Sequence, residues 1–305
     1  MPFRSTFACL WCGTAHTTRG SDDLEGWAQL CPDCLGRAGD NPFLRFRLHA
    51  ALAERSQAAV GATVGAAASP QPTQAPPAES SFDREMVEYY EARAGEYDEW
   101  YLRRGRYARG PIHDTAWQAD LEAASEWLDA VPFHGRIVEL AAGTGWWSPI
   151  LAGKGELWAF DAAEAPLERA RDRLVAHRLR AHLHVRDAWA EPDAPADGLF
   201  TGFWLSHVPR DRLIEFLRLA RRWLADGGTY AFIDSRFDPQ SSAVDHRPSP
   251  AEETTLRRLN DGRTFTIPKV FYEPDELERA LLEAGFSRAD LSTTNRFFVL
   301  GRATA

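Results

Sequence analysis

The stretch VELAAGTGWW, Val138 to Trp147, decides the fold of this chain. It begins inside a short apolar run, Arg136–Leu140, which lies between Gly135 and the glycines that follow, and this pattern predicts a buried parallel strand. Helical periodicity resumes at about residues 146–152. A strand, a Gly-x-Gly turn and a helix in this order let the backbone approach a ligand closely, with the helix N-terminus behind it.

Further strands and amphipathic helices follow that turn. ELWAFD ends in Asp161, LHVRDA contains Asp187, and two later runs, GLFTGFWL and GTYAFIDS, are also predicted strands. PLERARDRLVAHRL and RDRLIEFLRLARRWLA carry apolar residues at helical spacing. Alternating strands and helices predict a doubly wound α/β sheet that binds its ligand at the carboxyl ends of the strands.

The last part of the chain predicts an insertion, a helix and a final strand. Residues 236–270 contain two alternating runs around NDG, which predicts a β-hairpin on the substrate side. The hairpin would bring one of four arginines near the substrate, which would suit an anion, although a solvated edge hairpin is the alternative. The four candidates are Arg236, Arg257, Arg258 and Arg263. EPDELERALLEAGF then predicts a helix from Pro274 to Gly285, and FFVLGRA a strand.

The four cysteines of the chain form two C-x2-C pairs separated by 18 residues: Cys9, Cys12, Cys31 and Cys34. This spacing is typical of a zinc ribbon, in which four thiolates hold one tetrahedral Zn²⁺. Two disulfides or a redox pair are the alternatives, but cytosolic chains rarely keep disulfides and no βαβ pattern surrounds either pair. We therefore predict a structural zinc ribbon over residues 1–52.

Charge and composition limit the partners. The 305 residues carry a net charge of −9, which argues against a nucleic-acid surface because phosphate binding needs clustered Lys and Arg. Basic and acidic side chains balance in residues 1–52, so we expect the ribbon to be a folding module or a contact for a protein partner. Residues 53–81, rich in Ala and Pro, predict a flexible linker. No long apolar run predicts a membrane span or a signal peptide, so we expect a cytoplasmic location without membrane contact.

From residue 82 to residue 305, the order and spacing of these motifs resemble the class I S-adenosylmethionine (SAM)-dependent methyltransferases. ELAAGTG is similar to the first motif of that family, E/D-x-G-x-G-x-G, with Ala141 in place of the first glycine. The segments YYEARAGEYDEWYLRRGRY, GFWLSHVP and RRLNDGRTF are similar to a bacterial subgroup of small-molecule type. The resemblance implies SAM as the cofactor and a seven-stranded Rossmann-like sheet with an antiparallel C-terminal strand.

The resemblance also implies which residues contact the cofactor. Glu139 would orient its amino-acid end, Gly143 and Gly145 would give it room, and Asp161 would hold the ribose. Asp187 would reach the adenine. The full set is Tyr90, Tyr97, Glu139, Ala141, Gly143, Gly145, Asp161, Ala162, Asp187, Ala188, Trp189 and Phe203.

Residues 82–135 precede the first strand of the sheet, and in this family such a leading helical segment caps the cofactor pocket as a lid. Its tyrosines suit a sulfonium cation, because aromatic faces attract cations. Tyr90, Tyr97 and Tyr101 fall near one helical stripe, so packing in the core is the alternative interpretation.

Two histidines are candidate catalytic residues. His207 follows the fourth strand in the loop that faces the methyl group in this fold, where an imidazole can accept a proton from the substrate. His113, in GPIHDTAW, is the second candidate. A structural histidine bonded to backbone is the alternative for His207.

Three functions fit these patterns. The first is methyl transfer from SAM to an O, N or C nucleophile of a small molecule. The second is an RNA or rRNA methyltransferase that presents its substrate through the zinc ribbon, and the third is a non-catalytic SAM-binding interaction protein. Fold alone does not choose among them, but the charge balance favours the small molecule.

Overall fold

The computed structural model describes residues 6–8, 15–17 and 81–305. The chain divides into two units, Met1–Pro76 and Pro77–Ala305. In the first unit, β1 (Thr6–Ala8) and β2 (Ala15–Thr17) pair antiparallel. The four cysteines predicted to bind zinc, and the predicted linker up to residue 80, lie outside the described residues.

The second unit is built on a seven-stranded sheet. Its strands are β3 (Arg136–Leu140), β4 (Glu156–Asp161), β5 (His182–Val185), β6 (Ala196–Gly202), β7 (Leu224–Ser235), β10 (Arg288–Thr293) and β11 (Phe298–Thr304). Their order is β10-β11-β7-β6-β3-β4-β5. Strands β3 to β7 are parallel, and β11 is antiparallel to β7. The predicted doubly wound sheet with an antiparallel C-terminal strand is confirmed.

Helices cover both faces of this sheet. They are α1 (Ser81–Arg93), α2 (Pro111–Ala130), α3 (Ser148–Ala152), α4 (Glu164–Ala176), α5 (Leu213–Trp223) and α6 (Pro274–Glu283). The predicted hairpin is present as β8 (Thr254–Arg258) and β9 (Thr264–Pro268). No helix in the described part of the chain has the length and apolar character needed to cross a bilayer.

The sheet is buried on both faces, which is why its strands read as nearly continuous apolar runs. Leu199 and Phe200 are neighbours in β6 and both fully buried, yet they belong to different cores. Trp223 of α5 packs in the core of Leu199, and Trp117 of α2 packs in the core of Phe200.

The fourth strand ends earlier in the structure than the sequence predicted. We expected GLFTGFWL to be extended through Leu205, but β6 ends at Gly202 and a 3₁₀ turn occupies Leu205–His207. The physical reason is a pair of bonds to β7: the Phe203 N–H donates to the Ile233 carbonyl (2.7 Å), and the Ser206 N–H donates to Asp234 Oδ2 (3.0 Å). These bonds turn the chain across the end of the sheet.

The leading segment is not one helix. Helix α1 ends at Arg93, and 3₁₀ turns follow at Tyr97–Glu99 and Gly105–Tyr107. The interpretation of Tyr90, Tyr97 and Tyr101 as one helical stripe is therefore wrong. The rings nevertheless come together, with centroids 5.7 Å apart for Tyr90 and Tyr97 and 6.3 Å apart for Tyr97 and Tyr101.

Candidate functional site

A pocket lies at the carboxyl ends of β3, β4 and β6, the edge at which doubly wound sheets bind their ligands. Nine of the twelve predicted cofactor contacts line it: Tyr90, Tyr97, Ala141, Asp161, Ala162, Asp187, Ala188, Trp189 and Phe203. We call this space the first pocket. Glu139, Gly143 and Gly145 are not among its lining residues.

Asp161 is a half-buried carboxylate of the first pocket. It ends β4, and its two oxygens accept backbone N–H groups, Oδ1 from Ala163 (2.9 Å) and Oδ2 from Gly143 (2.8 Å). Burial raises the pKa of Asp161 to about 6, although these two bonds oppose the shift. Each oxygen keeps a further lone pair, so the fixed carboxylate can accept two hydroxyl groups of one ligand.

Gly143 lies in the turn after β3 with φ +54°, a conformation that favours glycine. A Cβ at this position would lie 3.1 Å from the hydroxyl oxygen of Tyr97. Since Tyr97 lines the first pocket, the bare backbone of Gly143 faces the pocket and the tyrosine that covers it.

Gly145 packs closely against a helix. Its φ is +68°, and a Cβ there would lie 2.7 Å from Ala170 Cβ and 2.9 Å from Ala170 Cα, in helix α4. The missing side chain therefore allows the turn to pack against α4. The expectation that Gly145 also gives the cofactor room stays a prediction.

The packing role of Gly145 can be measured against a matched glycine. Gly227 also has a positive φ, +78°, but a Cβ added there would meet no atom within 4 Å. We expect Gly227→Ala to cost about 1 kcal/mol of unfolding free energy for the backbone alone. Gly145→Ala should cost roughly 1–3 kcal/mol more, because the methyl group also overpacks the helix contact. Urea unfolding of both variants checks this, and equal losses would show that no close contact exists at Gly145.

Glu139 is buried one residue before the carboxyl end of β3, with only 1% of its surface exposed. Its Oε2 accepts the hydroxyl of Ser148, the first residue of α3, at 2.6 Å. Burial raises the pKa of Glu139 to about 8, and the Ser148 bond opposes this shift. A carboxyl group with such a pKa is readily converted to the carboxylate by a nearby cation.

Asp187 follows β5 in a turn in which its Oδ1 accepts the N–H of Trp189 (2.7 Å). The ring of Trp189 contacts Phe216, with a 5.2 Å centroid distance, and lies 3.8 Å from the guanidinium of Arg212. Ala188, which lies between Asp187 and Trp189 in the sequence, is buried. The three residues form the end of the first pocket that lies farthest along the sheet, at β5.

His207 and Tyr90 form a hydrogen-bonded pair. His207 Nδ1 lies 2.7 Å from the carbonyl oxygen of Pro268, which can only accept, so Nδ1 carries a proton. Burial, followed by the charge of Lys269, lowers the pKa of His207 well below its usual range, so the ring is neutral. Its Nε2 therefore accepts the Tyr90 hydroxyl at 2.7 Å. Nε2 is already engaged, and the polar atom that this pair presents to a ligand is Tyr90 Oη.

A second pocket, of about 480 Å³, adjoins the first. The two share Tyr90, Tyr97, Phe203 and His207 in their linings. The second pocket also contains Arg93, Arg257 and Lys269, and it is closed on one side by the buried ring of Tyr107.

His113 is not in either pocket. It lies in the first turn of α2, and its Nδ1 is 2.9 Å from Arg296 Nη1. Arg296 in turn pairs with Asp238 (2.6 Å). This places His113 in a polar cluster beside α2, where it touches no residue of the predicted cofactor site.

Two cations of the second pocket were not predicted from the sequence. Arg93 and Lys269 are each only 8% exposed. One signal was present, because Lys269 stands inside the apolar run FTIPKVFY and the sequence holds only one other lysine, Lys154. No pattern in the sequence marks Arg93, which ends an amphipathic helix as many exposed arginines do.

Comparison with known proteins gives the following matches. Residues 137–228 match the family described as Methyltransferase domain. A solved complex of DhpI with SAH is 30% identical, with 72% of this chain and 95% of that chain covered and a TM-score of 0.56. A complex of DhpI with SAM and HEP is also 30% identical, covering 73% and 97%, with a TM-score of 0.57.

A more distant solved structure shares the fold. The PH0226 protein from Pyrococcus horikoshii OT3 is 15% identical, with 68% of this chain and 98% of that chain covered and a TM-score of 0.51. No curated protein matches the chain.

Proposed function

This chain belongs to the class I SAM-dependent methyltransferases, and we propose that it transfers the methyl group of SAM to a small-molecule acceptor held in the second pocket. The observation that carries this proposal is that the two pockets meet at four shared side chains, Tyr90, Tyr97, Phe203 and His207. A cofactor in the first pocket and an acceptor in the second would be neighbours across this boundary.

The residues of the first pocket fit SAM. Asp161 offers a fixed carboxylate with lone pairs for the two ribose hydroxyls. Gly143 leaves bare backbone beside Tyr97, where the methionyl end would lie. The rings of Tyr90 and Tyr97 present faces that stabilise a sulfonium cation. Asp187 and Trp189 would receive the adenine at the β5 end of the pocket.

The chemistry asks little of the protein beyond alignment. Bound SAM supplies a methyl group on a sulfonium centre whose leaving group is a neutral thioether. The chain has to hold the acceptor in line with that methyl group and exclude water. Tyr97 and Phe203 form apolar walls at the boundary, and Tyr90 Oη, fixed by His207, is the polar atom that can orient the acceptor.

The walls of the second pocket support a small acceptor. Arg93, Tyr107 and Lys269 are all buried, so part of this pocket reaches into the interior of the second unit. In the DhpI complex with SAM, HEP is bound as well, and that neighbour supports a separate acceptor place next to the cofactor.

Labelled SAM tests the proposal. The full chain is incubated with [methyl-³H]SAM and either an ultrafiltered small-molecule extract or purified RNA. We expect label to enter the small-molecule fraction in equal amount to the SAH that forms. Label that enters RNA instead, or SAM that binds tightly without yielding SAH in any fraction, would contradict the proposed function.

Removal of the Tyr90 hydroxyl tests its orienting role. We expect Tyr90→Phe to lower kcat by about 10- to 100-fold, a loss at the low end of what positioned polar groups contribute, while SAM affinity stays within about threefold. Tyr230→Phe is the matched control, because its hydroxyl is also buried and bonded, to Thr201 (2.8 Å), but lies outside both pockets. The pH profile of the wild-type kcat should also lack an inflection at the ordinary histidine pKa of 6.5, because His207 stays neutral. An equal loss in both variants would mean that Tyr90 is merely structural.

The domain plan stays a proposal: a zinc ribbon over residues 1–52, a linker over 53–81, and the methyltransferase domain over 82–305, with a lid at 82–135 and a substrate-side hairpin at 236–270. The zinc ribbon is supported by the cysteine spacing. Metal analysis of the purified full chain, with Cys31→Ser for comparison, tests the zinc ribbon. A purified full chain that contains no zinc would contradict this proposal.

A further inference from the structure

The lining of the second pocket is cationic. It includes Arg93, Arg257 and Lys269, and among the described residues that line it there is no Asp or Glu. His207 adds no negative charge because it is neutral. The whole sequence, by contrast, has a net charge of −9, so this recess concentrates positive charge in an otherwise acidic protein.

Arg93 is a buried cation without an acidic partner in the part of the chain that the structure describes. Its Nη2 donates to the Tyr107 hydroxyl at 3.3 Å, and its Nε is buried without a hydrogen-bond partner. Its charge lies near aromatic faces, at 4.5 Å from the ring centre of Tyr97 and 5.7 Å from that of Tyr107. A buried guanidinium with an unsatisfied N–H is costly unless a ligand completes its bonds.

Lys269 is held by hydroxyl groups. Its Nζ donates to Ser206 Oγ (2.8 Å) and Ser235 Oγ (3.0 Å), which leaves its third N–H available. Burial lowers the pKa of Lys269 to about 8; Asp234 opposes this shift, while the charges of Arg257 and Arg93 add to it. Asp234 accepts backbone N–H bonds from Ser206 and Ser235 and lies outside the pocket lining.

Of the four arginines that the sequence placed near the substrate, the structure brings one into the second pocket. Arg257 lines it, and its Nη1 lies 3.0 Å from Nδ1 of the neutral His246. Its neighbour Arg258 is exposed, as expected for the opposite face of β8. Arg263 pairs with Asp261 and Arg236 donates to a backbone carbonyl, both away from the pocket.

We propose that the second pocket is an oxyanion site, and that the acceptor carries a carboxylate, phosphate or phosphonate group which Arg93, Arg257 and Lys269 bind. This inference rests on the proposed function, since it names the chemical class of the acceptor. The arginines can each give two parallel N–H bonds to such a group, and Lys269 gives a point charge. The acidic side chains of the site, Asp161 and Asp187, lie in the first pocket. The charge of the first pocket therefore suits a cationic cofactor, and the charge of the second suits an anionic acceptor.

The two lysines of the chain make a direct test practical. Full chain labelled with [¹³Cε]lysine and saturated with SAH should give two lysine signals, of which Lys154→Arg removes one and so assigns the other to Lys269. Inorganic phosphate, methylphosphonate and acetate are then titrated separately at constant ionic strength. We expect at least one of them to shift the Lys269 signal saturably and to raise the midpoint of its pH titration, because a bound anion stabilises the charged amine. The signal of Lys154 should stay unchanged.

Matched arginine variants complete the test. Arg257→Gln should weaken binding of that anion by roughly tenfold or more, the size of one lost charged hydrogen bond. Arg258→Gln, one residue along the strand, should leave it unchanged. If none of the three anions moves the Lys269 signal, or if both variants weaken binding equally, the oxyanion site is wrong. Binding of SAH, measured in the same samples, tests separately the proposal that the chain binds the cofactor.

Discussion

Replacement of Asp161 by alanine is expected to weaken SAM binding by about two to four orders of magnitude. The proposed complex places both ribose hydroxyls on this carboxylate, and each hydrogen bond to a charged group contributes about 1.5–3 kcal/mol. The loss should appear in the dissociation constant measured by calorimetry. Folding must be followed in parallel, since Gly143 and Ala163 lose the acceptor of their N–H groups.

Asp172→Ala provides the comparison for that experiment. Asp172 is exposed on α4 and does not line the first pocket. Its replacement by alanine removes the same side-chain atoms as Asp161→Ala does. Its affinity for SAM should equal that of the wild type. If Asp161→Ala remains folded and binds SAM as tightly as this control, the ribose does not lie at Asp161.

Glu139→Gln is expected to make the protein more stable and the cofactor site weaker. The amide keeps the size of the side chain and can still bond to Ser148, but it removes a carboxyl group whose burial is unfavourable when charged. The same change removes the charge that we propose for the ammonium group of SAM. We expect SAM affinity to fall by about 10- to 100-fold, as for the loss of one charge-assisted bond.

The pH dependence follows from the raised pKa of Glu139. Between its ordinary value of 4.5 and its folded value of about 8, the folded chain binds more protons at this site than the unfolded chain does. Folding stability from this group therefore falls as the pH rises through that window. The advantage of Glu139→Gln over the wild type should be near zero at the acid end and reach about 2 kcal/mol or more near pH 8, since one pKa unit corresponds to 1.36 kcal/mol.

Urea unfolding at several pH values measures the change in stability of Glu139→Gln. Calorimetry in buffers of different ionisation enthalpy measures SAM affinity and the protons released when SAM binds. Wild-type protein should release a proton from Glu139 when SAM binds below pH 8, and Glu139→Gln should not. Glu122→Gln, on the exposed face of α2, serves as the control. If proton release is unchanged in Glu139→Gln, this carboxyl group does not meet the ammonium of SAM.

The parts of the fold that sequence predicted well are those set by local pattern. The strand before Ala141 and the helix that begins at Pro274 have the bounds expected from apolar periodicity and from glycine and proline signals. The end of β6 was missed because it depends on bonds to Ile233 and Asp234. Those partners are about thirty residues away along the chain, where no local pattern can report them.

The same distinction explains the site. The positions of Asp161 and Asp187 in the first pocket could be predicted because Asp161 ends one strand and Asp187 follows the next, and parallel strands end at one edge of the sheet. The contact of Gly145 with α4 could not be predicted, because a glycine needed for helix packing and a glycine needed for a ligand look alike in sequence. Arg93, Arg257 and Lys269 come from α1, β8 and the residue after β9, and only the folded chain brings them into one pocket.

A crystal structure of the full chain with SAH tests the central claim most directly. We predict the adenosyl ribose with both hydroxyl groups on the Asp161 carboxylate, the amino-acid end beside Gly143, and the sulfur directed toward Tyr90. SAH bound away from Asp161, or a first pocket that stays closed by Tyr97 while SAH occupies another place, would contradict it.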